Sequence, residues 1–180
     1  MRASSKFQVP EYEEIQRWPE WSVWLVTIGA GGFIVFMLAM AWRAAAPAWQ
    51  GGAANWPIVA ICLAAAAAEA GVVYLFAAGK LIIRVYPDGI LVRLHPLPGR
   101  FIPFDSVEAV EPVEFSPLKD FGGWGVRWRG RLTAYIIRGN RGIKLALHGR
   151  RAVVISSQQP ENLQATALRA FERWKRSQGR

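Results

Sequence analysis

Few side chains in this chain are placed for chemistry. His95 and His148 are each followed by a turn residue, Pro96 and Gly149, and they lack the short spacing of a metal-ligand pair. Ser156 and Ser157 have no G-x-S-x-G frame around them and precede a helix-like run, where capping is the simpler role. The lone cysteine, Cys62, sits in an Ala-rich run and excludes both an internal disulfide and a cysteine metal cluster. Glu108, Glu111 and Glu114 recur in "VEAVEPVE", but Pro112 breaks any shared helical face, so they are expected to form a solvated edge that pairs with basic strands. No acid, base and nucleophile converge. The chain is therefore read as non-enzymatic, with no catalytic, metal or cofactor residues.

The stretch "DFGGWGVRWRGR", Asp120 to Arg131, holds four glycines, two tryptophans and three arginines. A phosphate-cradling loop sets its glycines between a strand and a helix N-terminus. Here Gly122, Gly123 and Gly125 run into "VRWRGRLTAYII", which alternates with period two, so they are expected to permit close backbone approach and a bulge at a strand start. In that strand Val126 and Trp128 point one way, Arg127 and Arg129 the other. Further on, Arg138, Lys144 and His148 alternate with Ile137, Ile143, Leu145 and Leu147. The polar face is thus expected to be the basic face. Arg127, Arg129, Arg138 and Lys144 are the candidate contacts to anionic lipid headgroups or a partner, with a merely solvated face as the alternative.

Charge is unevenly spread along the chain. Up to Ala78 there are four basic and five acidic residues; from Gly79 onward there are 18 and 8, a net of +10. A basic domain invites nucleic acid, yet no recognition helix, zinc spacing or RNP-like aromatic pair is present. Nucleic acid is accordingly not an expected partner, and an anionic bilayer surface accounts for the charge.

Two apolar runs point to that bilayer. Trp21 to Trp42 carries no charge over 22 residues. As a helix it would rise about 33 Å, against a hydrocarbon core of roughly 30 Å, with tryptophans placed for both interfaces. Its length and the polar segment before it argue against a cleaved signal peptide. Trp56 to Ala78 is a second run, of 23 residues, with Pro57 in its first turn and Gly79-Lys80 at its exit. The short Ala-, Gly- and Pro-rich connection from Arg43 to Asn55 predicts an antiparallel hairpin. Arg2, Lys6 and Arg17 precede the first span, Arg43 alone lies in the loop, and Lys80, Arg84, Arg93 and Arg100 follow the second. That bias predicts both termini on the cytoplasmic side.

Glu69 is the one charge inside the second span, where an ionisable group must be neutralised, paired or watered. In an antiparallel hairpin it falls near the depth of Ala30, beside "GAGG" and "AAAAAEAG", small-residue runs that permit close helix approach. Two readings stay open: a contact to a partner subunit or a proton-linked role, and a protonated carboxyl bonded to Thr27 or to a backbone carbonyl.

Beyond Gly79 the period changes to two. "LIIRVY" and "ILVRLH" flank "PDG", a hairpin signal, and "RFIPFDSVEAVEPVEF" reads as a strand broken near Pro103 and resumed. Three further hairpins are expected: "GWGVRW" with "LTAYII", "YIIRG" with "GIKLAL", and "IKLAL" with "AVVIS". Seven short strands joined by tight turns predict an antiparallel barrel or orthogonal sandwich. A closing helix starts at Pro160, with Leu163, Ala167, Ala170, Phe171 and Trp174 on one face to pack across the barrel mouth, and Arg169, Arg173 and Arg176 elsewhere.

A helix hairpin followed by "LIIRVYPDGILVRL", "IPFDSVEAVEP", "FGGWGVRW", "RGNRGIKLAL" and "GRRAVVISSQQPENL" resembles uncharacterised bacterial membrane proteins carrying a pleckstrin-homology-like (PH-like) domain. The resemblance spans about Trp18 to Trp174. It implies an α+β membrane protein: a two-helix transmembrane hairpin, then a seven-stranded antiparallel β-barrel capped by a C-terminal helix. The expected organisation is a cytoplasmic segment 1–17, a hairpin 18–79 with spans at about 21–42 and 56–78, and a cytoplasmic domain 80–180. The expected role is a multi-pass, non-enzymatic interaction or scaffold module of the bacterial inner membrane, with a membrane-protein partner or a second copy of itself. The alternatives are an anionic-lipid binder using the basic barrel face, and an accessory subunit of a membrane transporter or enzyme complex.

Overall fold

The computed structural model describes residues 9–179. The chain divides into two compact units. One is Pro19–Ala78; the other joins the segment through Trp18 to everything from Gly79 onward.

The first unit is a helix hairpin. Helix α1 (Glu20–Ala45) runs into a 3₁₀ turn (Ala46–Gln50), and α2 (Trp56–Ala78) returns alongside it. Asn55 closes the turn: its N–H donates to the Ala44 carbonyl (3.0 Å), and its Oδ1 accepts from the Ile58 N–H (3.4 Å), capping α2. The buried residues of the two helices, Ala30, Ala41, Cys62 and Ala66, are all small, which lets the backbones approach closely. The outward faces are apolar as well, with Ile28 71%, Ile61 68% and Tyr74 68% exposed. Both helices are long and apolar enough to cross a membrane. A helix that is apolar all round wants an apolar surrounding rather than water.

The second unit is built on two sheets. The first has the order β1-β2-β3-β4, from β1 (Tyr12–Arg17), β2 (Lys80–Tyr86), β3 (Gly89–His95) and β4 (Arg100–Pro103), all antiparallel. At Pro103 the chain turns through a 3₁₀ segment, Phe104–Ser106, and enters the second sheet. That sheet has the order β5-β8-β9-β7-β6, from β5 (Val107–Glu114), β6 (Gly125–Arg129), β7 (Leu132–Ile136), β8 (Arg141–Leu147) and β9 (Arg151–Ser156). A short helix α3 (Pro117–Phe121) interrupts it before β6, and α4 (Pro160–Gln178) ends the chain.

This corrects the expected seven-stranded antiparallel barrel. The described residues form two sheets of four and five strands, and these do not close on each other. The difference has two local causes. First, β1 comes from ahead of the hairpin and adds an edge strand to β2. Second, "YIIRG" and "GIKLAL" are not a hairpin: β9 inserts between β8 and β7 and pairs parallel to β7, with Leu132 facing Ala152 and Tyr135 facing Ile155.

The core lies between the sheets and α4. Leu81, Ile83, Val85, Ile90 and Val92 come from the first sheet, and Ile143, Leu145, Val153 and Ile155 from the second. Leu163, Ala167, Ala170 and Phe171 of α4 seal it, spaced as one helical face. The Phe171 ring meets Phe104 at 5.5 Å and stacks on Trp174 at 6.3 Å. A smaller cluster of Phe115, Ala134, Ile136 and Val154 lies on the opposite face of the second sheet, with Phe121 of α3 packed against it. Gly142 is required by close approach, since a Cβ there would strike the Ile155 carbonyl oxygen of β9.

Strand β1 is held by a buried polar network. Its inward side carries Tyr12, Glu14 and Gln16, reversing the usual pattern, while Ile15 is half exposed on the outer side. The Glu14 carboxylate accepts from Tyr12 Oη (2.7 Å), Ser157 Oγ (2.6 Å) and the Gln158 N–H (2.7 Å). Gln16 Nε2 donates to the Ser156 carbonyl (2.7 Å), and Ser156 Oγ accepts from the Ile137 N–H (3.3 Å). Burial first, and the Glu14 carboxylate second, push the Tyr12 hydroxyl above the ordinary tyrosine range. The two serines do not cap α4 as expected, since that helix has no side-chain cap; Ser156 and Ser157 instead tie β1 to the end of β9.

Candidate functional site

Of the glycines in "DFGGWG", Gly122 and Gly123 end a helix and Gly125 starts β6, whose pairing with β7 has no bulge. Ser116 Oγ accepts from the Lys119 N–H (3.4 Å) and Asp120 Oδ2 from the Ser116 N–H (2.7 Å), starting α3. Gly122, at φ +70°, ends it with bonds from the Gly122 N–H to Leu118 O (3.0 Å) and from the Gly123 N–H to Pro117 O (2.8 Å).

The sequence-derived basic residues fall on one sheet but do not converge. Register places Glu111, Lys144, Val154, Ala134 and Arg127 in a single row across β5, β8, β9, β7 and β6. Arg127 and Lys144 thus share a face, separated by two apolar strands, roughly 14 Å at strand spacing. Lys144 Nζ is paired with Glu111 Oε2 (3.3 Å). Arg129 Nη1 donates to the Asp120 carbonyl (2.8 Å) on the same edge strand as Arg127, and Arg138 stands in the turn after β7. The middle of this face is the apolar cluster under α3.

The acidic triplet behaves as the sequence anticipates. Glu108 Oε1 meets His148 Nδ1 (2.9 Å), Glu111 meets Lys144, and Glu114 Oε1 meets Arg141 Nε (3.1 Å), so each acid of β5 finds a basic group on or just beyond β8. Arg141 also reaches Glu161 Oε1 (2.9 Å), Arg84 reaches Glu13 Oε1 (2.7 Å), and Arg173 pairs with Glu11.

Basic groups gather elsewhere. Arg100, Arg131, Arg151, His148, Thr133 and Gly149 line a cleft of about 570 Å³. Three segments build it: the start of β4, the β6–β7 turn, and the β8–β9 turn. The Ala152 N–H donates to the Arg131 carbonyl (3.1 Å) and Arg131 Nη1 donates to the Gly149 carbonyl (3.2 Å), which locks the two turns together. Because β7 and β9 run parallel with Leu132 opposite Ala152, Arg131 and Arg151 arrive at equivalent positions at the same end of the sheet. No acidic side chain lines the cleft. Sequence reasoning missed it because its arginines are far apart in the chain and meet only through the parallel pairing.

In the hairpin, Glu69 lies on the α2 stripe that includes Cys62 and Ala66, the stripe turned toward α1, and is half-buried. Equal steps back along α1 and forward along α2 from the Asn55–Ala44 bond set it level with Ala30. The Thr27 hydroxyl donates to the Val23 carbonyl of its own helix (2.8 Å).

Among the described residues no group of His, Cys, Asp and Glu could hold a metal ion. Compared with models of known protein families and with curated proteins, the chain has no match. The hairpin and the cleft are therefore interpreted from their own geometry.

Proposed function

We propose that this chain is a membrane-anchored, non-enzymatic interaction module of the bacterial inner membrane, in which the helix hairpin crosses the bilayer and the α+β unit, PH-like in kind, works at the cytoplasmic face. The observation that carries this reading is the pairing of Arg17 with Lys80. The chain leaves the first sheet at Arg17, three residues before α1, and re-enters it at Lys80, two residues after α2. Both ends of a membrane-crossing hairpin then belong on one side, and the excess of Lys and Arg flanking those ends marks that side as cytoplasmic. Glu69 on the inter-helix stripe supports a role for the hairpin in contacting a membrane-protein partner or a second copy, since an acid at that depth is retained at a cost. Native mass spectrometry of the full-length chain, extracted in mild detergent from its own membrane, tests the reading. Co-purifying protein, or a homo-oligomer, is the expected result; a lone monomer without protein partner would count against it.

A further inference from the structure

We propose that the cleft between β4 and the β6–β7 and β8–β9 turns binds a phosphate group, with Arg100, Arg131 and Arg151 as its ligands and Thr133 as a hydroxyl partner. This inference does not depend on the hairpin crossing a membrane.

Charge bookkeeping within the unit motivates it. Several cations of this α+β unit are matched by acids: Lys144 with Glu111, Arg141 with Glu114 and Glu161, Arg84 with Glu13, Arg173 with Glu11. What sets the cleft apart is that its cations gather in one place. Three guanidinium groups line one depression with no carboxylate in its wall, and two of them, Arg131 and Arg151, stand where the neighbouring strands β7 and β9 begin. Like charges directly beside each other destabilise a sheet, and no carboxylate in the wall offsets them. An anion seated between them would.

The geometry suits a tetrahedral, multiply charged oxyanion. Guanidinium forks donate two parallel hydrogen bonds to phosphate oxygens, and three forks converging from three chain segments can surround one such group. Gly130 at φ +60° and Gly149 at φ +79° form the rims of the depression, in a conformation that side-chain-bearing residues rarely adopt. His148 also lines it, with its Nδ1 turned to Glu108 Oε1 (2.9 Å). A cleft of about 570 Å³ exceeds a bare phosphate and leaves room for the group that carries it. The shared chemistry is a phosphomonoester or phosphodiester, whether it comes from a lipid headgroup or from a soluble phosphorylated compound.

The test uses the full-length chain in a neutral detergent and a phosphate-free buffer. Thermal stability is followed while inorganic phosphate, short-chain phosphatidic acid, or short-chain phosphatidylcholine is added. Stabilisation by phosphatidic acid alone assigns the site to lipid headgroups; stabilisation by inorganic phosphate as well assigns it to phosphate in general. In either case Arg131→Gln and Arg151→Gln are each expected to weaken the apparent affinity roughly tenfold, and more together, since a hydrogen bond to a charged group contributes about that much. Arg169→Gln and Arg176→Gln, which remove the same charge outside the cleft, are expected to leave it unchanged. All four arginines are exposed, so the variants retain the core. The proposal is overturned if neither anion stabilises the protein, or if the cleft and control variants lose binding equally.

Discussion

Arg17 and Lys80 face each other across the β1–β2 ladder, although 62 residues of helix hairpin and turn separate them in the chain. The α+β unit is therefore discontinuous: its first strand is synthesised before the hairpin and its remaining strands after it. The helix hairpin is an insertion into that unit. A fragment that begins after α2 would lack β1 and would expose the ladder edge of β2.

That architecture predicts fragment behaviour. A chain starting at Gly79 is expected to aggregate or to unfold well below the full-length protein, because the unpaired β2 edge is strongly apolar. Adding a synthetic peptide covering residues 9–18 should restore a cooperative thermal transition in circular dichroism. A soluble, cooperatively folding fragment without the peptide would show that β1 is dispensable.

The Glu14 carboxylate is buried and accepts three hydrogen bonds. Glu14→Ala strands the Ser157 hydroxyl and the Gln158 N–H, and should destabilise the α+β unit by about 1–3 kcal/mol. Urea unfolding followed by tryptophan fluorescence gives the loss, and hydrogen exchange should locate the first openings in residues 12–17. A loss spread evenly over the unit, with β1 no less protected, would contradict the pinning role.

Tyr12 supplies a pH dependence. Its hydroxyl titrates higher in the folded protein than in the unfolded chain, because burial and Glu14 disfavour the phenolate. Stability from this group is complete below the unfolded tyrosine value of about 10 and falls as pH rises above it, since the unfolded chain then loses its proton first. Tyr12→Phe should flatten the decline between pH 9 and roughly pH 11 relative to the parent protein. Parallel curves would remove Tyr12 as the cause.

Glu69 lies on the inter-helix stripe, with Thr27 already bonded to its own helix. Glu69→Leu is expected to leave the thermal stability of the detergent-solubilised chain unchanged or higher, because an apolar side chain replaces an acid within an otherwise apolar helix. It should at the same time disrupt a co-purifying complex. An intact complex in native mass spectrometry would take Glu69 out of the account.

Local patterns explain how much was legible from the residues alone. Each span is a run of apolar residues whose length is its own signal; "PDG" marks the β2–β3 turn, Pro103 marks the passage between sheets, and the spacing of Leu163, Ala167, Ala170 and Phe171 marks the buried face of α4. Strand β1 was hidden because its polarity is inverted: Glu14 and Gln16 point inward and Ile15 outward, and its partners lie beyond the hairpin. The parallel β7–β9 pair was hidden because adjacent strands in sequence, β7 and β8, ordinarily suggest a hairpin. Alternation groups Arg127, Arg129, Arg138 and Lys144 on one basic face; register aligns Arg127 with Lys144 and leaves Arg138 in a turn, and alternation could not tell that Lys144 is answered by Glu111, or that Arg131 and Arg151 are neighbours.

The central claim is that the hairpin crosses the membrane with both of its ends on the cytoplasmic side. Site-directed labelling tests it most directly: in a Cys62→Ala background, Ala53→Cys marks the hairpin loop and Gln178→Cys the end of α4, and a membrane-impermeant maleimide is applied to intact cells expressing the full chain. Labelling of Ala53→Cys in intact cells, with Gln178→Cys reacting only after lysis, is the predicted result. Labelling of Gln178→Cys in intact cells, or protection of both positions with the chain released by carbonate washing, would contradict it.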